Sequence, residues 1–558
     1  MTDRPVIHNA KPPVAEAGPA HAAGSAPALR PAPTAMAALA GLVASAAALA
    51  TGELGAGLVQ GVPSPLAAVG SAAIDFAPPG SKEVVVSLFG TNDKTALMVL
   101  VTVAVLALGA VIGLVARRWL TLAGWLIVAL VAVGGLASLR DPTAFGPLVV
   151  VAAAAQVAVG LLALSGLLRA ARGRTPAADA TDDEAARAAR EGRRTFLVQA
   201  GVLGGLAVVG GALGRTLLSG RAEATAIASL SGDGGGGAGQ LTIPQAVDPV
   251  PTPGPDASFN IPGITPVVMP NNQFYRIDTA LITPSVDLAS WSLRVFGMVD
   301  KEVRLTFAEL LQLPLIERYV TIACVSNEVG GNLVGNAKWT GPKLSDVLAM
   351  AGVQDGATQI VPRSVDGWTA GFPTAWINDP AHPRDAIIAV KMNDAPLPAA
   401  HGFPARLIVP GLYGYVSATK WLSEIELTTL EAIDAYWVPR GWAKEAPILT
   451  QSRIDVPGNG AQLAVGPVAV AGIAWAPDRG VSKVEVRVDD GDWQTATLAT
   501  ELSAATWVQW KWTWQATQGQ HTLAVRATDG TGAVQTAQVT PPNPDGARGY
   551  HQIAVTVA

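Results

Sequence analysis

The chain has 558 residues, half of them hydrophobic and only 15% charged, with a formal net charge of −5 and a single cysteine. A mean hydropathy of +0.34 places part of the chain in lipid, and the acidic balance gives no electrostatic reason for a nucleic-acid partner. The lone cysteine, Cys324, excludes an intrachain disulfide.

Residues 1–33 read as a disordered amino-terminal segment. Apolar windows long enough to cross a bilayer follow at 34–52, 95–116, 119–139, 146–168 and 195–218, which predicts five transmembrane helices over 34–218. The first window is Ala-rich and follows Arg4, Lys11 and Arg30, so it also fits the hydrophobic part of a signal peptide. Its cleavage would leave four spans in the same orientation. Arg117 and Arg118 lie between the second and third spans. Arg169, Arg172, Arg174, Arg187, Arg190, Arg193 and Arg194 lie between the fourth and fifth. Positive loops face the cytoplasm, which places everything after residue 218 on the extracytoplasmic side of the cell membrane. No span holds a histidine or an ionisable group near its centre, so the spans read as an anchor or docking surface and not as a proton or electron relay. The glycines of "GVLGGLAVVGGALG" (201–214) permit close helix packing. "GRRTFLVQAG" (192–201) resembles a twin-arginine export signal, and the plainer alternative is ordinary positive-inside charge. Phe196 and Leu197 favour the signal.

Residues 219–256 read as a tether, flexible in "SGDGGGGAGQ" and stiff in "VDPVPTPGPD". Over 257–445, strand-like runs ("WSLRVFGMV", "RYVTIACV", "ARLIVP") alternate with short helical ones ("TFAELLQL", "KLSDVLAMAG"), which predicts an α+β domain. Over 446–558, the hairpin pattern "VSKVEVRVDDGDWQTATL", a stripe of Trp510, Trp512 and Trp514, and a second hairpin in "HTLAVRATDGTGAVQTAQV" predict a β-sandwich. The Trp stripe reads as core or interface.

Four readings of Cys324 compete. It is a buried structural cysteine, a nucleophile served by His382, His401, His521 or His551, a zinc ligand, or the single thiolate ligand of a soft metal whose other ligands come from a cofactor. Zinc fits least, because the histidines and carboxylates show no clustered ligand spacing.

"YVTIACVSNEVGGNLVGNAKWTG", then "KLSDVLAMAG", then "MNDAPLPAAHGFPARLIVPGLYGYVSATKWLSEIEL" (392–427), resembles the sulfite oxidase-type molybdopterin oxidoreductases, in the order in which that family carries these pieces. The resemblance covers about 257–558, including an immunoglobulin-like sandwich similar to the family's dimerisation domain. It does not cover the membrane half. It implies one molybdenum held by the two dithiolene sulfurs of one pterin and by one protein thiolate, Cys324. It further implies that Asn272, Tyr275 and Arg276 lie beside pterin and metal, with Tyr275 and Arg276 joining Cys324 as catalytic residues. His401 and Arg406 in "HGFPAR" and Ser417, Thr419 and Lys420 in "SATKW" would bind the pterin and its phosphate. The last run has one extra residue, so both hydroxyls stay candidates. Asp366 in "RSVDGW" matches an acidic residue near the pterin; a turn residue is its plain alternative, as a surface ion pair is for Arg276.

Sulfite oxidases carry an arginine five residues after the ligand cysteine and a tyrosine in the active site. This chain has Val329, preceded by Glu328, at the first position and Trp442 at the second. Losing a cation weakens anion capture, which argues against sulfite unless Arg276 and Arg440 supply the charge. The resemblance therefore implies oxygen-atom transfer to or from a small S- or N-containing substrate, with sulfite dehydrogenation and a degenerate, non-catalytic module as alternatives. The chain has no CxxCH and no cysteines for an iron–sulfur cluster, so a separate redox partner, a cytochrome or membrane electron carrier, is implied. A homodimer through the sandwich is the remaining expected partnership.

Overall fold

A computed structural model describes residues 32–77, 93–172, 181–231, 241–378 and 384–558. Most of the amino-terminal segment, Arg174, the glycine run of the tether and His382 lie outside the described residues.

Helices α1 (Thr34–Leu58), α2 (Pro65–Asp75), α3 (Asp93–Val115), α4 (Leu120–Ser138), α5 (Gly146–Arg172) and α6 (Asp182–Ser231) form a bundle. Five of the six are long and apolar enough to cross a membrane, and α2 is the short exception. The first span is the centre of the bundle: half of its apolar window is buried, against 11–28% in the other four. Its small residues let backbones approach closely. A Cβ on Gly41 would lie 2.1 Å from the Gly109 carbonyl oxygen of α3, and one on Gly113 would lie 2.0 Å from the Ala37 carbonyl oxygen. In α6 the expected packing glycines behave differently. Gly201, Gly204, Gly205 and Gly210 face open space, and only Gly214 approaches backbone, the Glu53 carbonyl. The close faces belong to α1 because it is surrounded, whereas α6 turns Val202, Leu206 and Val209 outward.

Each span is free of charge at its centre, but the end of the bundle away from the start of α1 holds a buried carboxylate with a partly exposed arginine beside it. Glu53 accepts from Ser64 Oγ at 2.6 Å and from the Leu66 backbone N–H at 3.2 Å, and Arg215 of α6 lies 3.5 Å from it. These bonds hold the start of α2, whose own cap is Ser64. Arg117 donates to the Ala32 carbonyl at 2.9 Å, and Phe196 is fully buried with Ala37, Ala116 and Leu168, so both arginine-rich segments flank the start of α1. The opposite end, with Leu66, Met98, Leu281 and Ile282, meets the α+β domain.

Helix α6 runs past residue 218 to Ser231, so the tether starts as rigid helix. The proline segment ends in the single turn Pro255–Ala257 and is docked: the Val247 N–H donates to the Leu315 carbonyl at 2.8 Å, and Asp248 bridges to Ile316.

The α+β domain is built on β1 (Ser292–Gly297), β2 (Val303–Thr306), β3 (Leu315–Ala323), β4 (Val334–Pro342), β5 (Gln359–Ser364), β6 (Phe372–Pro373), β7 (Ile387–Ala389), β8 (Lys391–Met392), β9 (Ala395–Pro396), β10 (Arg406–Ile408) and β11 (Leu422–Thr428). One sheet runs β2-β1-β11-β5-β6, with β1 and β11 parallel; a second runs β3-β4-β8-β9; and β10 pairs with β7. Almost every residue of β3 and β4 is buried, which is why "YVTIACV" reads as an unbroken apolar run. Two short helices, α7 (Phe307–Leu310) and α8 (Leu344–Ala351), occupy the expected runs; α7 carries a capping box between Thr306 and Glu309, and α8 ends at Gly352. The shorter turns α9 (Ala375–Asn378) and α10 (Gly414–Ser417) complete the domain.

The carboxy-terminal sandwich comprises β12 (Gln451–Val456), β13 (Gln462–Leu463), β14 (Gly466–Trp475), β15 (Val481–Val488), β16 (Gln494–Thr495), β17 (Thr497–Leu498), β18 (Val508–Ala516), β19 (Gly519–Asp529) and β20 (His551–Val557). Its sheets run β12-β14-β18-β17 and β13-β20-β19-β15-β16. Trp510 and Trp514 of β18 are core, with Trp512 packed against it. The first expected hairpin forms between β15 and β16. The second does not: after β19 the chain makes a single bridge, Thr528 to Val534. The physical reason is local. Asp529 accepts three hydrogen bonds from Thr531 and Ala533, and buried Gln535 is held by Ser452 and by the Ala527 N–H, so the chain turns away before a strand can pair.

Candidate cofactor site

Cys324 follows the last residue of β3, where the strand gives way to a turn. Its N–H donates to Leu333 at 2.9 Å, and its carbonyl accepts from Asn327 at 3.0 Å. Asn327 in turn accepts from the Leu333 N–H at 2.7 Å, so the Asn- and Gly-rich stretch is a turn that fixes the thiol at a sheet end. Gly330 has φ +78°, and a Cβ there would lie 2.2 Å from the His551 ring, so the turn is pressed against the sandwich. Glu328 and Val329 sit on this turn, with Glu328 exposed.

Two phenols flank the thiol. Burial pushes Tyr275 well above its usual range, the Cys324 charge adds to the rise, and Arg406 opposes it. Burial likewise pushes Tyr413 up to about 12. Both stay protonated at neutral pH, and Tyr413 Oη accepts from the Leu449 N–H at 3.5 Å.

Segments 398–407 and 417–421 build the floor of the site. His401 Nε2 lies 2.9 Å from the Asn271 carbonyl, and its ring meets Phe274 edge-on at 5.7 Å. Arg406 is 5% exposed, donates to the His401 carbonyl at 3.3 Å and lies over the Trp339 ring. Lys420 donates to Asp278 at 3.1 Å and to the Ala400 carbonyl at 3.3 Å. Burial pulls His401 down to about 4, with Arg406 assisting, Arg406 down to about 10 and Lys420 down to about 8. Burial works to raise Asp278, but Lys420, Lys94 and Arg276 overcome it and hold this carboxyl well below the usual range.

His401 Nδ1, Arg406 Nε and Thr419 Oγ1 are buried and have no hydrogen-bond partner among the described residues. Leaving such a group unsatisfied costs about 1–3 kcal/mol, so three of them on adjoining segments point to a ligand that accepts and donates there. Arg406, Lys420 and Thr419 suit a pterin phosphate with a guanidinium, an ammonium and a hydroxyl, whereas neutral His401, whose Nε2–H is given to the Asn271 carbonyl, presents Nδ1 as an acceptor suited to an N–H of the pterin. The question of the two hydroxyls also acquires a geometry. Ser417 donates back to Tyr413 at 3.0 Å within its own turn, whereas Thr419 keeps its oxygen unused.

The remaining expected residues are less central. Asn272 is exposed and pairs with no described residue, while Asn271 bonds Met392 and Asn393 and receives His401. Arg276 is half exposed, held by Asp278 at 3.0 Å and Thr283 at 2.8 Å. Asp366 accepts from the Trp368 N–H at 3.1 Å, the bond of a turn residue, and burial raises its carboxyl. Trp442 packs on Tyr415 with ring centres 5.9 Å apart. Asp278, Asn271 and Tyr413 were not singled out by sequence. The carboxylate in "YRID" carried a readable signal, a charge two residues beyond Arg276 in a segment already placed beside the pterin.

Comparison with known proteins decides the assignment. The model of the oxidoreductase molybdopterin binding domain matches residues 280–437, and that of a bacterial Ig domain matches 451–525. An uncharacterized oxidoreductase of Bacillus subtilis, YuiH, is 32% identical over 156 residues, which cover 28% of this chain and 74% of that protein. The chain belongs to the sulfite oxidase-type molybdopterin oxidoreductases. Mitochondrial sulfite oxidase of Mus musculus is 30% identical over 325 residues, 49% of this chain and 58% of the relative. The chain thus spans little more than half the length of the sulfite oxidases it matches. The crystal structure of the sulfane dehydrogenase SoxCD from Paracoccus pantotrophus aligns at 22% identity and a TM-score of 0.45, over 54% of this chain and 85% of that one. As a family member the protein is an oxidoreductase, and its domain order of apolar helices, molybdopterin domain and Ig-like sandwich is the one expected above.

Proposed function

We propose that this protein is a membrane-anchored, extracytoplasmic molybdenum enzyme that moves an oxygen atom to or from a small sulfur- or nitrogen-containing substrate. The observation that carries the reading is the set of unsatisfied buried atoms on His401, Arg406 and Thr419 beside Lys420, on the floor of a site whose end of β3 carries the chain's one thiol. Bound molybdopterin supplies a metal that takes up or gives an oxygen atom with two electrons. Arg406, Lys420 and Thr419 would hold its phosphate end, and His401 Nδ1 would accept an N–H of the pterin. Cys324 binds the metal as thiolate, and the protonated Tyr275 offers a hydrogen bond toward substrate oxygen. Buried walls, including Phe274 and Trp339, keep bulk water from these groups.

A neutral substrate is supported by the state of the two cations that could have replaced the missing arginine. Arg276 is bound by Asp278, and Arg440 donates to Asp75 at 3.3 Å and to the Tyr436 carbonyl at 2.6 Å. Neither offers an unpaired charge to an oxyanion. Sidedness is supported by the arginine-rich segments, which flank the start of α1 while the cofactor domain meets the other end. Resetting the site needs two single-electron exchanges with a separate cytochrome or membrane carrier, which accepts electrons when substrate gains oxygen and supplies them when substrate loses it. A homodimer through the sandwich is checked by particle mass in detergent.

Purified full-length protein from a host that makes the cofactor should hold one molybdenum and one pterin per chain, and a dye-coupled panel of sulfite, sulfoxides, N-oxides and nitrate should show turnover on S- or N-oxides over sulfite. A protein free of both metal and pterin would overturn the assignment, and turnover on sulfite alone would overturn the neutral-substrate reading.

A further inference from the structure

The outer end of the membrane bundle reaches into the site. Lys94, in the first turn of α3, donates to Asp278 Oδ1 at 2.7 Å and to the Ala280 carbonyl at 2.8 Å. The other Asp278 oxygen receives Lys420 at 3.1 Å and Arg276 at 3.0 Å. A carboxylate with only 5% of its side chain exposed is thus shared by three cations, one of them from the bundle. The second contact comes from α6. Glu223 Oε2 accepts from the Ala399 N–H at 3.1 Å. Ala399 opens the single turn Ala399–His401, which no side chain of its own segment caps. That turn presents His401 Nδ1 and, through the Ala400 carbonyl, holds Lys420.

We infer that the bundle completes the cofactor site: Lys94 and Glu223 are positioning residues that hold Lys420 for the phosphate end of the pterin and His401 for an N–H of its ring system. The inference rests on the reading of the site given under Proposed function. Arg276 and Lys94 pair with Asp278, which leaves Lys420 and Arg406 as an excess of positive charge suited to a phosphate dianion. Without Lys94, one Asp278 oxygen loses its partner in a dry setting, and the carboxylate draws more strongly on Lys420, holding the ammonium back from phosphate. Without Glu223, the 399–401 turn loses its cap and with it the fixed placement of His401. The span region is therefore part of how the cofactor is kept, beyond its work as an anchor.

The test uses full-length protein in detergent, with bound pterin measured by fluorescence after oxidation, at once and through extended buffer exchange. Lys94→Ala and Glu223→Leu should lose pterin about tenfold faster than the parent, the equivalent of one decade in affinity. Lys94→Arg keeps the cation and Glu223→Gln keeps an acceptor oxygen, so both should retain pterin as the parent does. All four should elute and melt like the parent once pterin is removed. Retention by Lys94→Ala and Glu223→Leu overturns the inference, as does equal loss from all four variants, which marks a general lesion. A parent chain that carries no pterin overturns the function it rests on, and the inference with it.

Discussion

Cys324 and the phosphate-binding residues make separable demands, and substitutions should separate them. Cys324→Ser offers a harder, poorly ionised donor, so molybdenum should fall below about a tenth of the parent level while pterin, held by other residues, remains. Metal analysis beside pterin fluorescence reads both, and full molybdenum in the variant would count against thiolate ligation. His401 carries a pH signature. Its imidazole is lowered from 6.5 to about 4, so between those values the unfolded chain binds more protons than the folded one. Stability of the cofactor-free protein should therefore be lost as pH falls from about 6.5 to 4, by at most about 3 kcal/mol. Melting across that range checks it, and His401→Gln should flatten the slope. Cys324, His401, Arg406 and Lys420 were proposed from a family resemblance carried by short local runs, among them "HGFPAR" and "SATKW". Lys94 was not, since its partner Asp278 lies 184 positions away. Asn271 was passed over for its neighbour Asn272 because sequence alone does not say which of two adjacent side chains faces in.

At the level of elements, helix windows were readable because a bilayer fixes their length, and β3 because burial on both faces leaves a continuous apolar run. What packs on what was not. The Ala-rich first window resembled a removable leader, yet α1 is the most enclosed helix, and the glycine-rich fifth window, which looked made for packing, mostly faces outward. Hydropathy measures transfer into lipid and is blind to the closeness of backbones that small residues allow. Gly41→Leu should therefore force α1 from α3 and lower the melting temperature of the solubilised bundle, at a cost of about 3 kcal/mol or more. Gly205→Leu, at a position with nothing within 4 Å, should be silent. Equal effects from the two would remove the distinction.

For the whole molecule, the pairing of a membrane bundle with a cofactor domain makes the order of export and loading matter. Replacing Arg193 and Arg194 by Lys should leave the outer domain in the cytoplasm if the pair is an export signal, whereas external protease would still reach it if the pair is only loop charge. Phe196, which favoured the signal, is fully buried in the bundle and so has a packing reason to be there as well. Composition alone revealed the two-part character of the chain but not that its parts share a site, because that depends on where α2, α3 and α6 end. The enclosed position of α1 has a consequence for biogenesis. Helix α1 precedes the other four apolar helices in the chain, it is the one around which they gather, and it is also the least hydrophobic of the five. In a bilayer entered in chain order, α1 would hold its small-residue faces against lipid until α6 emerges, so that the bundle would close only when synthesis has reached the threshold of the cofactor domain.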